Sequence, residues 1–201
     1  TWNNSILKLH DPKNIGNFKT DFYRRLAFDE ILASFLISSE IRKKIKKIKK
    51  NSKIFLNKNE INTISKLNFE LTSDQKITLR DINKDISSKS KMFRLLQGDV
   101  GSGKTIVSLI SALNVINSGY QVAFMAPTEI LANQHYSLAQ KIFPTSVKIE
   151  LITSKTDLKI KNNIQKKTND VNVDIIFVTH SLFQQKINFQ NLEYILFYSQ
   201  H

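Results

Sequence analysis

The stretch Gln97-Gly98-Asp99-Val100-Gly101-Ser102-Gly103-Lys104-Thr105 has the spacing G-x-x-x-x-G-K-T. An apolar run precedes it at 92–96, which predicts a buried strand, and apolar residues three and four apart from Ile106 onward predict a helix. This spacing indicates a phosphate-binding loop, or P-loop, when a strand precedes it and a helix follows it. The sequence therefore predicts a nucleotide-binding protein with alternating strands and helices.

The chemistry of this loop follows from its residue types. Glycines let the backbone curl so that successive N–H groups point at phosphate oxygens, and the positive end of the following helix adds to their attraction. We predict that the phosphates of a nucleotide are bound by Gly98, Asp99, Val100, Gly101, Ser102, Gly103, Lys104 and Thr105. The Lys104 ammonium would reach the β- and γ-phosphates and the Thr105 hydroxyl would be a ligand of Mg²⁺, which makes these two the predicted catalytic residues.

Composition limits the class of protein without deciding the partner. The 201 residues are 41% hydrophobic and include no cysteine, which excludes wholesale disorder, a disulfide framework and a thiolate metal site. No apolar run approaches the roughly 20 residues of a membrane span. A net charge of +13 favours nucleic acid as a partner, but a lysine-rich proteome explains it equally well. We expect a cytoplasmic monomer without a membrane partner.

The residues before the P-loop predict a helical segment. A short helix should end before Pro12, and one or two long helices should occupy 18–50. The basic run at 42–50 is either a phosphate contact or a solvated helix face. Residues 51–66 predict a linker with one short helix. Thr72 and Ser73 are candidate N-caps for a helix over 74–85, where the Gln75 amide offers the donor and acceptor that suit an adenine edge.

The residues after the P-loop predict strands alternating with helices. Strands are predicted at 120–126, 147–153, 173–179 and 194–198, the last as an exposed edge, and helices at 129–143 and 155–168. Gly119 is the predicted cap of the P-loop helix, and Thr128 that of the next one. This alternation predicts a mainly parallel sheet whose ligands bind beyond the carboxyl ends of the strands.

Two longer stretches resemble a known family. Residues 97–105, followed by Met-Ala-Pro-Thr-Glu-Ile-Leu-Ala-Asn-Gln-His at 125–135, resemble RecG, a superfamily 2 helicase that uses ATP to remodel branched DNA. Arg-Arg-Leu-Ala-Phe-Asp-Glu at 24–30, Phe-Glu-Leu-Thr-Ser-Asp-Gln at 69–75 and Thr-His-Ser-Leu-Phe-Gln at 179–184 extend the similarity. The motor of the transcription-repair coupling factor is the nearest rival.

The resemblance implies a division of the chain and a role for particular residues. Residues 1–66 would be the helical link between a DNA-binding wedge and the motor, and 67–201 the first RecA-like lobe, truncated at its acidic motif. Gln75 would read adenine, and His135 would be structural or solvated. The implied DNA-facing edge comprises Pro127, Thr128, Glu129, Thr179 and His180.

One departure from the family pattern bears on activity. The family has Asp-Glu-Gln-His where this chain has Tyr198-Ser199-Gln200-His201, and an acidic pair normally completes the Mg²⁺ shell and positions the attacking water. We expect this chain to bind Mg-ATP weakly but neither to hydrolyse it nor to unwind DNA. The wedge, the second lobe and its arginine finger are expected to lie outside it. Two alternatives are an inactive nucleic-acid-binding remnant and a P-loop protein of another class, such as a transporter ATPase or small kinase.

Overall fold

The computed structural model describes residues 2–11, 20–48, 69–183 and 187–199. Contacts divide the chain into two compact units, one formed by residues 1–51 with 89–93 and the other by residues 52–88 with 94–201. The linker and short helix predicted at 51–66 lie outside the described residues. Among the helices described, none is both long enough and apolar enough to cross a membrane.

The first unit contains two helices. Helix α1 spans Trp2–Leu9 and packs against α2, which spans Asp21–Lys47 as one continuous helix. The predicted stop before Pro12 and the predicted long helix are both confirmed. The basic side chains described on the last turns of α2 are Arg42, Lys43, Lys44 and Lys47, and all four are exposed to solvent. Exposure suits a phosphate contact and a solvated face equally, so both interpretations of this run stay open.

The second unit contains a parallel sheet with helices on both sides. Its elements in chain order are α3 (Ser73–Ser87), α4 (Lys104–Ile116), β1 (Gln121–Ala126), α5 (Glu129–Ile142), β2 (Ile149–Ile152), α6 (Leu158–Asn169), β3 (Ile175–Thr179), α7 (His180–Phe183) and β4 (Leu192–Phe197). The four strands lie in the order β2-β3-β1-β4, and every pairing is parallel. The predicted alternation and the mainly parallel sheet are confirmed.

Side chains of the central strands separate into two apolar layers. Phe124 of β1 and Phe177 of β3 stack with ring centroids 5.0 Å apart, and each also contacts a ring of α5. Met125 of β1 and Val178 of β3 point to the opposite face, where Ile164 of α6 and other apolar side chains cover them. Successive strand residues face opposite sides, so the alternation places α5 and α6 on opposite sides of the sheet.

Gln121 ties the amino ends of the strands together. Its side-chain amide is fully buried and donates to the carbonyls of Thr168 at 2.8 Å and Val173 at 2.9 Å. Its carbonyl accepts from the N–H of Asn191 at 3.0 Å. One side chain therefore joins β1 to the end of α6 and to the segments that lead into β3 and β4.

The prediction of a strand at 92–96 is wrong. Residues 91–99 form neither helix nor strand, and Phe93 and Leu95 are 74% and 84% exposed. A strand needs a neighbour for its N–H and C=O groups, and in the part of the chain described here β4 pairs with β1 alone. Arg94 instead forms an ion pair with Asp85 of α3 at 2.7 Å. The predicted edge position of the 194–198 strand is confirmed, since β4 lies last in the sheet.

The predicted role of Gly119 at the end of the P-loop helix is confirmed. Helix α4 ends at Ile116 with Asn117 as its C-cap, in right-handed helical conformation. Gly119 lies two residues further on, with a φ of 82° that favours glycine, and its N–H donates to the carbonyl of Ile116 at 2.9 Å. The N–H of Tyr120 also donates to the carbonyl of Val115 at 3.3 Å, and these two bonds with a left-handed glycine form the Schellman cap expected of Gly119.

Candidate functional site: a phosphate loop and the carboxyl edge of the sheet

The P-loop is a backbone turn that leads directly into α4. The N–H of Ser102 donates to the carbonyl of Asp99 at 3.1 Å, and Gly103 is the N-cap of α4. Gly101 and Gly103 have φ angles of 84° and 82°, a region that side-chain-bearing residues rarely adopt. The loop is exposed from Gly98 to Ser102. The loop backbone, apart from the Ser102 N–H, and the start of α4 are therefore accessible to an anion.

Lys104 lies across the P-loop. Its ammonium donates to the carbonyl oxygens of Gly98 at 2.5 Å and Asp99 at 2.7 Å. An ammonium has three donors, so one N–H remains for a further acceptor. Thr105 follows in the first turn of α4 and is partly exposed. The structure thus brings the predicted phosphate-binding residues together on one loop, and their roles toward ATP stay predictions.

Gln75 joins the start of α3 to the P-loop. Thr72 caps α3, because its hydroxyl accepts from the backbone N–H of Gln75 at 3.3 Å. The side-chain carbonyl of Gln75 in turn accepts from the backbone N–H of Thr72 at 2.9 Å. The Gln75 amide nitrogen then donates to the carbonyl of Ser102 at 2.9 Å. A Cβ at Gly103 would overlap this nitrogen, so only glycine leaves room for the bond.

This arrangement limits what Gln75 can offer to a base. Its amide has two donors and two lone pairs, of which one each is already used. One N–H and one lone pair remain, which is the pair of groups that an adenine edge needs. The contact with Ser102 was not predicted from the sequence. The spacing Thr72-x-x-Gln75 was the available signal, because it is the pattern of a capping box that fixes a glutamine at this position.

The four strands end at one edge of the sheet, which we call the carboxyl edge. Ala126 pairs with Thr179, Ile152 with Val178, and Met125 with Phe197. The residues at and just after these strand ends are therefore neighbours, and they include all five predicted to face DNA: Pro127, Thr128, Glu129, Thr179 and His180. The register brings these residues to one edge, and their contact with DNA stays a prediction.

The predicted DNA-facing residues differ in their surroundings. Thr128 caps α5 by accepting from the N–H of Leu131 at 3.3 Å, as expected of an N-cap. Thr179 is 5% exposed, so little of its side chain is accessible. His180 is partly buried, and its ring lies 6.2 Å from that of Phe197. Its Nε2 has no hydrogen-bond partner among the described residues.

Glu129 lies between two loops of the carboxyl edge. Its carboxylate accepts from the N–H of Ser154 at 2.8 Å and from the Ser154 hydroxyl, and it lies 3.9 Å from the Lys155 ammonium. These interactions, the hydroxyl hydrogen bond first among them, lower the pKa of the Glu129 carboxyl from its ordinary value near 4.5. The carboxylate is therefore ionised at neutral pH. Its link to the loop after β2 was not predicted from the sequence.

Tyr198 and His135 fill the space beside the end of β4. The Tyr198 N–H donates to the carbonyl of Met125 at 2.8 Å, and its ring lies 4.4 Å from the His135 ring, which is 4.9 Å from Phe124. Burial lowers the pKa of His135 below its ordinary value near 6.5, and its Nε2 has no hydrogen-bond partner among the described residues. His135 is therefore a core side chain, as expected. In the part of the chain described here, no cluster of acidic or histidine side chains is arranged to hold a metal ion.

A family model for the DEAD/DEAH box helicases matches residues 72–198, from the capping threonine of α3 to Tyr198, one residue past the end of β4. The chain belongs to the DEAD/DEAH box helicase family. The match covers the P-loop, the carboxyl edge and the four strands, and it excludes a transporter ATPase or small kinase as the source of this P-loop.

Individual relatives in the family are proteins named ATP-dependent DNA helicase RecG. That of Aquifex aeolicus is 41% identical over 98% of this chain, and that of Borreliella burgdorferi is 37% identical over 98%. These alignments cover 26% and 28% of the two relatives, so the chain spans about a quarter of their length. A solved structure described as RecG bound to a three-way DNA junction superimposes with a TM-score of 0.78 and 36% identity, over 87% of this chain and 24% of that one. The resemblance to RecG and the RecA-like fold are confirmed.

Proposed function

We propose that this chain is the first RecA-like motor lobe of a RecG-like helicase, with the helical segment that precedes it. Residues 1–66 form the link and 67–201 the lobe, and the whole protein uses ATP to remodel branched DNA. The observation that carries the proposal is the link from Gln75 to Ser102, beside a Lys104 that lies across the same loop. It joins an adenine-reading position to a phosphate loop. We also propose that the protein is a cytoplasmic monomer.

The nucleotide would contact both parts of this pocket. Gln75 would receive adenine with its remaining N–H and lone pair, and the N–H groups of 98–103 would hold the phosphates. The Lys104 ammonium would exchange its bonds to the Gly98 and Asp99 carbonyls for bonds to phosphate oxygens, which are stronger because both partners are charged. The hydroxyl of the partly exposed Thr105 fits as a ligand of Mg²⁺, which would offset charge on the phosphates.

The end of β4 favours nucleotide binding without hydrolysis. Tyr198 and Ser199 stand where the family resemblance implies an acidic pair, and neither side chain can supply a carboxylate. The partly buried Tyr198 ring packs against His135 and against a buried apolar cluster. Without a carboxylate there, the chain would offer one ligand fewer to Mg²⁺ and no group to position an attacking water. We propose that this chain binds Mg-ATP but does not turn it over.

The carboxyl edge is the proposed DNA surface. The first turn of α5, after Pro127 and Thr128, offers N–H groups and a positive helix end to backbone phosphates, which need not involve reading base sequence. Thr179 and His180 lie at the neighbouring strand end. The same Tyr198-Ser199 pair favours a second candidate function, in which the protein is a catalytically inactive nucleic-acid-binding protein.

Fluorescent-nucleotide binding and ATP turnover would test the proposal. Lys104→Ala removes charge-assisted hydrogen bonds worth about 1.5–3 kcal/mol, so Mg-ATP affinity should fall about tenfold to a hundredfold. Lys141→Ala, at the last turn of α5, is the control and should leave affinity unchanged. If Lys104→Ala bound Mg-ATP as tightly as the wild-type chain does, the proposed nucleotide pocket would be refuted. DNA-stimulated ATP turnover that Lys104→Ala abolishes would refute the proposed inactivity.

A further inference from the structure

The turn at 153–156, between β2 and α6, is fixed from two sides. Within the turn, the Thr153 N–H donates to the Thr156 hydroxyl at 2.9 Å, and the Thr156 N–H donates to the Thr153 carbonyl at 3.1 Å. From outside, the Glu129 carboxylate accepts from the Ser154 N–H and hydroxyl. The first turn of α5 is thereby joined to the loop after β2, although β3 lies between β1 and β2 in the sheet.

The chemistry of Glu129 argues against a direct contact with DNA. An ionised carboxylate has acceptors but no donor, and a phosphate oxygen is likewise an acceptor. A direct contact would bring two negative charges together. The interactions of the Glu129 side chain given by the structure all involve Ser154 and Lys155. Glu129 is therefore suited to hold a neighbouring loop.

Lys155 is the group in this turn that can bind phosphate. Its side chain is 87% exposed, while that of Glu129 is 27% exposed. The ammonium lies 3.9 Å from the Glu129 carboxylate, longer than a hydrogen bond, so most of its donors remain for another acceptor. It extends from the same edge of the sheet as the first turn of α5. A phosphate strand that contacts the start of α5 would find this ammonium beside it.

We propose that Glu129 is a positioning residue for DNA binding: it fixes the turn at 153–156 so that Lys155 meets the phosphate backbone beside the start of α5. The inference rests on the DNA surface proposed above and assigns Glu129 an indirect role there. The sign of the effect separates the two roles. If Glu129 acts only as a negative charge near DNA, its removal strengthens DNA binding, but if it positions Lys155, its removal weakens binding.

The test measures binding of the 201-residue chain to fluorescent forked DNA by anisotropy, at several salt concentrations. Glu129→Ala should weaken binding about fivefold, the value of one exposed ion pair, and lower the salt slope by about 0.9, the value of one phosphate contact. Glu129→Gln keeps an acceptor for Ser154 and should therefore weaken DNA binding by less than Glu129→Ala does. Glu150→Ala is the matched control, because Glu150 is 28% exposed and pairs with Lys167 at 3.2 Å, and it should leave binding unchanged.

A double-mutant cycle tests whether Glu129 acts through Lys155. Lys155→Ala should weaken binding about fivefold in the wild-type chain but less than about twofold in the Glu129→Ala chain, because the lysine is no longer held there. Nucleotide affinity should be the same in every variant. A variant that binds DNA more weakly but nucleotide normally is still folded, so its loss of DNA binding comes from the altered position of Lys155.

The outcomes also separate this inference from the proposed function. No binding by the wild-type chain would overturn the DNA partner and the inference with it. Wild-type binding that Glu129→Ala leaves equal or strengthens would overturn the inference alone. So would an equal effect of Lys155→Ala in both backgrounds.

Discussion

Alanine at Gly101 and at Gly103 should destabilise the protein by different amounts. Both glycines have positive φ angles, 84° and 82°, so either substitution costs about 1–2 kcal/mol of backbone strain. A Cβ at Gly101 meets no atom within 4 Å, whereas one at Gly103 would overlap the Gln75 amide nitrogen and break its bond to Ser102. That bond adds about 1 kcal/mol. We expect the free energy of unfolding to fall by about 1–2 kcal/mol in Gly101→Ala and by about 2–3 kcal/mol in Gly103→Ala.

Urea unfolding followed by circular dichroism would measure the difference. A gap of about 1 kcal/mol separates the two midpoints by roughly 0.3–1 M for the usual urea dependence of a small protein. In a Gln75→Ala background the two glycine substitutions should cost the same, because no amide remains to be displaced. Equal costs in the wild-type background, or a gap that persists without Gln75, would refute the reasoning. Either result would mean that Gln75 does not hold the P-loop.

Two further predictions concern buried polar groups. The depressed pKa of His135, between Phe124 and Tyr198, means that its stabilising effect is present above about pH 6.5 and is lost as pH falls below that value. In the wild-type chain, the free energy of unfolding should therefore fall between pH 7 and pH 5. His135→Phe should reduce the slope of this fall by up to about 1.4 kcal/mol per pH unit. An unchanged slope, measured by thermal unfolding at several pH values, would contradict this. Gln121→Leu leaves three backbone groups unpaired at the amino ends of the strands, so urea unfolding should show a loss of about 3 kcal/mol or more. Gln140→Leu on α5 exchanges an exposed amide and should cost less than about 0.5 kcal/mol, and similar losses in both variants would contradict the role of burial.

The sequence predicted elements well where local signals and burial agree. Strand β1 is apolar from Val122 to Ala126, directly before Pro127, and all six of its residues, Gln121 included, are buried in the centre of the sheet. Thr128 gave the start of α5 correctly, because capping depends only on residues within the next turn. The failure at 92–96 has the opposite cause. Its residues are as apolar as those of β1, but a strand forms only beside a partner, and sequence pattern does not supply one.

In the candidate site, too, local features could be predicted from the sequence and long-range contacts could not. The P-loop could be found from the sequence because its glycines and Lys104 are neighbours in the chain. The contacts that join Gln75 to Ser102 and Glu129 to Ser154 cross 27 and 25 residues, so they depend on how elements pack rather than on a local pattern. A carboxylate at the start of a helix gives no sign of which loop it faces. Glu129 was therefore placed at the DNA surface, without the partners that define its proposed role.

Tyr198 shows how one residue at a strand end alters both packing and chemistry. It lies on the α5 side of the sheet with Ala126, Leu131 and Ala132, where its ring adds to an apolar cluster. A carboxylate at the same position would have to leave that cluster for water or a cation, since an unpaired charge is costly to bury. The aromatic side chain removes this requirement and packs over His135. The substitution therefore favours a stable core at the position where hydrolysis needs a charge, which is why we expect nucleotide binding to survive without turnover.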